Sequence, residues 1–257
     1  MILINAKARH GAGAGAEVAA ILRAGGLDTD CEAPSDPEAL AAAIRDHRHA
    51  VDLVVVGGGD GTLNAAAPAL VETGLPLGIV PLGTANDLTR TLEIPLDFAG
   101  ACATILHGRR HRIDLGRVND RLFFNVASLG LGERVAAAVR ADQKRRWGAA
   151  AYAAVAARLL RRNRPFPATI DCDGRTVRLR SIQIAVGNGR HYGGGLTVSE
   201  QAAIDDHRLD LYSIAPLPWW RLIGLAPGLR SGRLKGREAV RLMQDRRITV
   251  RTRRPMP

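Results

Sequence analysis

Cysteine is scarce. The three present, Cys31, Cys102 and Cys172, are scattered over 257 residues, which excludes a disulfide framework or a cysteine metal cluster and points to a reducing compartment. Long hydrophobic runs are missing as well. The longest apolar helix candidate, Gly148 to Leu160, falls short of a bilayer span and is bordered by arginines. The opening run MILINAKARHG reads directly as a strand and carries no signal-peptide pattern. These absences give the expectation of a soluble, cytoplasmic protein. Aromatic residues make up only 4% of the chain, and neither a stacking platform nor a nucleic-acid-binding module is evident, so nucleic acid is not an expected partner. There is no internal repeat and no low-complexity linker. At this length the chain can bury a substantial core, as one large domain or two modest ones.

Lysine is rare too, limited to Lys7, Lys144 and Lys235, so the net charge of +11 is carried almost wholly by arginine. Basic clusters lie at Lys144-Arg145-Arg146, at Arg158-Arg161-Arg162-Arg164, and from Arg246 to Arg254. Such clusters can hold a protein against an anionic lipid surface. For most of them an Arg- and Ala-rich composition with a solvated face is the better explanation. The 144–164 region is the exception, because Trp147 and Tyr152 sit among its charges.

What is present is a glycine turn, DLVVVGGGDGTLN, from Asp52 to Asn64. Leu53 to Val56 reads as a buried strand, being rich in β-branched residues and bounded by glycine. LNAAAPALVE after the turn has helical composition. A strand feeding a helix through glycines brings bare backbone N–H groups and a positive helix end toward one point, which is how phosphate is held. The turn is neither GxxxxGK[ST] nor GxGxxG. It has Asp60 inside the glycines instead, and a carboxylate beside phosphates calls for a divalent cation or a transferable proton between them. Taken alone, the motif reads equally as a tight turn with a solvated aspartate.

In chain order, Ile2 to Ala6 reads as a first strand and about Ala16 to Ala24 as a helix. A second strand is expected near Thr29 to Ala33. A helix follows, capped by Ser35 or Asp36, with Pro37 in its first turn. Leu77 to Val80 is the next strand and ends in PLGTANDLTR. Strands alternating with helices predict a parallel sheet, whose ligands sit beyond the strands' C-terminal ends, where both GGGDGT and PLGTAND fall. From about residue 112 the pattern changes. Arg112 to Val118 and Arg121 to Ser128 read as a hairpin turning at Asn119-Asp120, and an Ala/Arg-rich helical stretch covers roughly 133–162. Strands are then expected at Ala168 to Cys172, Thr176 to Leu179, Ile182 to Val186, Leu209 to Ile214, Glu238 to Met243 and Arg247 to Thr252, with a turn at Asp173-Gly174 and a short helix after Pro218. The fold class is therefore α/β: a parallel-sheet α/β domain over 1–112 and a mainly antiparallel second domain over 113–257, with substrate expected in a cleft between them.

GGGDGTLN, PLGTANDLTR, IDLGRV, FFNVASLGLG and NGRHYGGGLTVSEQAAIDDHRLDL, in that order, resemble the diacylglycerol kinase catalytic family, which includes the YegS-like bacterial lipid kinases and the sphingosine kinases. The resemblance covers nearly the whole chain. It implies an NAD kinase-like α/β domain joined to a β-sandwich, and transfer of phosphate from ATP to a lipid hydroxyl. Residue by residue, it implies a nucleotide site at Asn5 to Arg9, Lys7 included, at Gly58, Gly59, Asp60, Gly61, Thr62 and Asn64, and at Thr84 and Asn86. It implies that Asp60, Asp87 and Asp114 are catalytic and hold Mg2+ through water, neutralising charge on the phosphate oxygens. It implies a structural metal site from the Asp206 side chain and the carbonyls of Ala203 and Arg208. Singly, Asp87 reads as well as a helix cap, and Asp114 as a turn residue.

The sequence departs from the family pattern at several points. Ala6 stands where proline is usual, Ala65 where glutamate is common, and the threonine expected after the second strand is missing, with Ser35 as the nearest stand-in. His207 replaces a glycine after the paired aspartates and is expected to crowd or narrow that turn. No Asp-Gly-Glu segment, whose acid takes the lipid hydroxyl's proton in the family, occurs in the sequence. The expectation is either a truncated chain or an enzyme lacking that base. The leading reading is thus an ATP- and Mg2+-dependent lipid kinase touching an anionic membrane peripherally. An NAD kinase-like enzyme and a lipid- or nucleotide-binding protein without transfer are the alternatives.

Overall fold

A computed structural model describes residues 1–8, 13–131, 164–192, 196–197, 202–218, 221–222, 224, 228, 231 and 239–256. The expected helical stretch at 133–162, with Trp147 and Tyr152, lies outside the described residues, as do Arg9 and the glycines 193–195. So does most of the short helix expected after Pro218. The chain divides into two compact units, Met1–Phe124 and Asn125–Pro257.

In the first unit, strands β1 (Ile2–Ile4), β2 (Cys31–Glu32), β3 (Val54–Gly58) and β4 (Leu77–Pro81) form a parallel sheet in the order β2-β1-β3-β4. β1 and β3 are buried throughout, because helices cover them. Helix α1 (Ala14–Ala24) places Val18, Ala19 and Leu22 against Ile2, Ile4, Val55 and Val80. Helix α2 (Pro37–Asp46) opens on Asp36, whose Oδ1 accepts the N–H groups of Glu38 and Ala39. Asp36, not Ser35, is therefore the cap, and the Ser35 hydroxyl donates to its other carboxylate oxygen at 2.8 Å. Helix α3 (Asp60–Thr73) leaves the glycine turn, and the short α4 (Asp87–Thr91) and then α5 (Phe98–His107) follow β4.

The predicted hairpin forms, with a correction. β5 (Gly116–Val118) pairs with β6 (Arg121–Phe123) around Asn119, which takes φ 51°. The second strand, expected to run unbroken to Ser128, stops at Phe123. The Phe124 N–H turns away to the Oδ1 of Asn64, 3.0 Å away on α3. β7 (Val126–Gly130) then joins a different sheet. The hairpin thereby falls in the first unit, and the division comes after Phe124 where the expected boundary stood at 112/113.

The second unit is a sandwich of antiparallel sheets. One runs β14-β13-β10-β7, using β10 (Gln183–Gly187), β13 (Leu209–Ile214) and β14 (Val240–Asp245). The other runs β15-β8-β9, using β8 (Phe166–Cys172), β9 (Arg175–Ser181) and β15 (Thr249–Thr252). Ala168, Ile170 and Cys172 alternate inward along β8 and meet Ile184 and Leu211 of the facing sheet. Asp173 and Gly174 both take positive φ, 50° and 65°, as the predicted two-residue turn demands. A small pair, β11 (His191–Tyr192) with β12 (Leu196–Thr197), completes the described strands.

Candidate active site

Of the residues expected at the site, Asn5 and those of the GGGDGT and PLGTAND turns lie at the C-terminal ends of β1, β3 and β4. β3 and β4 are in register from Val54 opposite Leu77 to Gly58 opposite Pro81, and the Leu82 N–H extends the ladder onto the Gly58 carbonyl at 2.9 Å. The GGGDGT and PLGTAND turns therefore leave the sheet side by side. β1 joins them through Asn5, whose N–H donates to the Gly57 carbonyl at 2.8 Å. The Asn5 Nδ2 donates to the Thr62 hydroxyl at 2.9 Å, and its Oδ1 accepts the Lys7 N–H at 3.0 Å. The Lys7 ammonium is exposed and bonds the Ser35 carbonyl at 2.9 Å. Asn5, Lys7, Thr62 and Ser35 are thus linked in one chain of contacts.

The glycines of the turn serve different ends. A Cβ on Gly57 would strike the Ile4 side chain, and one on Gly58 the side chain of Thr62. Gly59 faces the backbone of Gly83: a Cβ on Gly83 would sit 2.5 Å from the Gly59 Cα. Gly61 differs, because a Cβ there meets nothing within 4 Å, and the position is exposed in the first turn of α3. Packing gives no reason for glycine at 61, whereas close approach of a ligand to the backbone would give one. Gly59 caps α3 without a side-chain bond, so the helix end keeps its positive character toward solvent.

Asp60 is half-buried, and its Oδ1 accepts the Leu88 N–H of α4 at 3.1 Å. That bond caps α4 from outside, since the α4 N-cap, Asn86, makes no side-chain cap of its own. It also brings the Asp60 segment against that of Asp87, which is only 5% exposed and opens α4. Asn86 is buried and left-handed at φ 51°, with its carboxamide turned back onto Gly83. Thr84 is exposed in the same turn. Asn64 spends its Oδ1 on the Phe124 N–H, holding the end of the hairpin. Asp114 is half-buried in the stretch between α5 and β5.

Among the described residues, no group of three or more His, Cys, Asp or Glu is placed to hold a metal ion. Asp60, Asp87 and Asp114 therefore do not form a direct cage. Magnesium retains much of its water and binds proteins through few carboxylates, so contact through water suits Asp60 and Asp87 as they stand.

The residues of the expected structural metal site lie in the second unit. The Asp206 Oδ1 accepts the Arg208 N–H at 2.9 Å, closing a turn whose middle residue, His207, takes φ 57°. The glycine expected at that position is thus replaced by a residue held in the left-handed region, which disfavours a side chain. Burial pushes the Asp210 carboxyl up from its ordinary value, and the neighbouring Asp206 adds to the effect. Ala203 is half-buried and Arg208 exposed, its guanidinium reaching Gln244 Oε1 at 3.3 Å.

Sequence reasoning located the turns but missed three participants: the Leu88 N–H, the Gly83 backbone and the Phe124 N–H. All act through main-chain atoms, which leave no signature in residue type.

Residues 1–118 match the diacylglycerol kinase catalytic domain, and residues 125–257 match the YegS C-terminal NAD kinase beta sandwich-like domain. A protein named probable lipid kinase YegS-like from Klebsiella pneumoniae (strain 342) is 39% identical over 166 residues, covering 63% of this chain and 55% of its own. Its namesake from Pseudomonas syringae pv. syringae (strain B728a) is 39% identical over 201 residues, covering 77% and 62%. The chain thus spans less than two thirds of the length of these curated relatives. A crystal structure of a diacylglycerol kinase from Bacillus anthracis str. Sterne superposes with a TM-score of 0.79 at 22% identity, covering 99% of this chain and 86% of that one. Such a likeness carries the fold, and the sequence matches carry the kinship: the chain belongs to the YegS-like group of the diacylglycerol kinase catalytic domain family.

Proposed function

We propose that the protein is a lipid kinase that uses ATP and Mg2+ to phosphorylate a hydroxyl of a diacylglycerol-like or other membrane lipid. The observation that carries this reading is the pairing of an open, unhindered Gly61 at the α3 N-terminus with Asp60, one of whose oxygens is fixed by Leu88. In the proposed arrangement the Gly59–Thr62 backbone and the hydroxyls of Thr62 and Thr84 receive phosphate oxygens. Asn5 orients the Thr62 hydroxyl, and Lys7 supplies positive charge at the rim. Asp60, with Asp87 beside it and Asp114 from the third segment, would hold the hydrated cation. When bound, Mg2+ neutralises charge building on the transferring phosphate. In the second unit, Ala203, Asp206 and Arg208 would hold a structural cation. Among the described residues no helix is long and apolar enough to cross a membrane, and we place the enzyme in the cytoplasm with peripheral access to anionic lipid, assisted by its positive charge.

The test offers γ-labelled ATP and Mg2+ with a mixed lipid extract and, in parallel, with NAD. Label in the lipid fraction, abolished by Asp60→Asn with the thermal unfolding curve unchanged, is the expected result, because an asparagine Oδ1 still accepts the Leu88 N–H. Turnover retained in that variant removes Asp60 from the mechanism. Label on NAD would replace the reading by the NAD kinase one. Mg2+-dependent ATP binding without transfer to either acceptor would instead support a lipid- or nucleotide-binding protein.

A further inference from the structure

Asn86 stands out because its side chain does something other than what its place in the motif suggests. It is 8% exposed and is held at φ 51°, ψ 46°, a conformation that asparagine tolerates better than most residues. Both ends of its carboxamide go to one residue. Oδ1 accepts the Gly83 N–H at 3.0 Å, and Nδ2 donates to the Gly83 carbonyl at 3.1 Å. Gly83 is the residue whose backbone lies against that of Gly59, so close that a Cβ on it would fall 2.5 Å from the Gly59 Cα and 2.6 Å from the Asn86 Oδ1. Asn86 also opens α4 without capping it, and the cap at Leu88 is supplied by Asp60.

We infer that Asn86 is a positioning residue that braces the second turn so that α4 presents the Leu88 N–H to Asp60, fixing the acid's orientation from across the site. The chain of contacts is continuous. The amide fixes Gly83, Gly83 bears on Gly59, and the residue after Gly59 is Asp60, whose carboxylate returns to α4. The loop of interactions closes on itself and sets the direction in which the Asp60 carboxylate lies. The expected nucleotide contact at Asn86 is thereby replaced by an indirect role. As a statement about catalysis the inference rests on the kinase reading; as a statement about the brace it does not.

Asn86→Gly separates the two. Glycine takes the same φ freely, so the turn can persist while the amide is lost. Amide hydrogen exchange followed by NMR should then speed up at Gly83 and also at Leu88, which the Asn86 side chain does not bond, by about tenfold or more at each. Faster exchange at Gly83 with Leu88 unchanged would overturn the brace. In steady-state phosphotransfer, kcat should drop by about ten- to a hundredfold, the scale expected for misplacement of a reacting group, with the KM for ATP within about twofold of the parent. A raised KM at constant kcat would mean that Asn86 contacts the nucleotide directly, and would overturn the proposal. Asn86→Asp, which keeps the acceptor for the Gly83 N–H but sets a carboxylate against the Gly83 carbonyl, should resemble Asn86→Gly in both measurements. If the parent protein transfers no phosphate at all, the kinase reading fails, and the exchange result alone decides the brace.

Discussion

A single hydrogen atom separates two explanations of Gly61. If glycine is needed only for the turn, replacing that hydrogen with a methyl group should weaken the fold. The geometry says otherwise, since the added Cβ meets nothing and the φ is not in the left-handed region. Alanine is the better helix former, so Gly61→Ala should leave stability unchanged or raise it by about 0.5 kcal/mol. The same methyl would stand where phosphate is to approach, so ATP affinity should fall by about tenfold or more. Calorimetric titration alongside thermal unfolding reads both signs on one sample. A parallel loss of stability and affinity would mean that the residue serves the turn, not the ligand. Asp60 follows similar logic: its carboxylate has a structural duty toward Leu88 and a proposed chemical one toward the cation. The motif spelled GGDGT was legible in the sequence. The division of labour within it was not, because Gly57, Gly58, Gly59 and Gly61 are identical letters whose neighbours come from β1, α3 and the second turn.

At the scale of elements, α2 illustrates a helix whose start is written locally. Ser35, Asp36 and Pro37 supply hydroxyl, cap and first turn in consecutive positions. Backbone N–H donation from Ala39, with the Ser35 hydroxyl and the Glu38 N–H, holds the Asp36 carboxyl below the ordinary carboxylate range. The unfolded chain therefore binds a proton more readily than the folded one. The contribution is fully present above the ordinary aspartate pKa of about 4 and is lost as the pH falls through the lowered folded value. An asparagine in place of this aspartate still accepts from the same N–H groups. Denaturant titrations of Asp36→Asn should thus match the parent near neutrality and show a shallower loss of stability below about pH 4. An identical acid limb in both proteins would remove Asp36 from that transition. Strands β8 and β9 were equally legible, since their alternation and the Asp173-Gly174 turn are local features. The 121–128 stretch misled because its break is made by Asn64, sixty positions earlier in the chain. α5 did not figure in the expectations, and α4 entered only through the reading of Asp87 as a helix cap, a place that Asn86 takes instead. α4 is only five residues long and draws its cap from Asp60, so nothing in its own letters announces it.

For the molecule as a whole, the described residues show separate cores. One gathers Ile2, Val18, Leu22, Val55 and Val80 in the first unit, and another Ala168, Ile170, Ile184 and Leu211 in the second. Ile170 is fully buried between the two sheets, and truncating such a side chain costs about 2–5 kcal/mol. Ile170→Ala should therefore accelerate hydrogen exchange across β8, β9 and β10 while β1 and β3 keep their protection, as followed by mass spectrometry of proteolytic fragments. Equal loss in both sets of strands would mean that the units unfold as one. The switch from alternating strands and helices to antiparallel strands was readable along the chain, and the family resemblance agreed with it. The point of division was not, because the hairpin's strand pattern looks the same whichever unit it joins.

The contact between Gly59 and Gly83 reaches beyond mechanism. Two backbones resting on each other leave no room for drift at either position, however neutral a change at one of them looks in isolation. A mutational library aimed at new acceptors would waste its diversity on these codons.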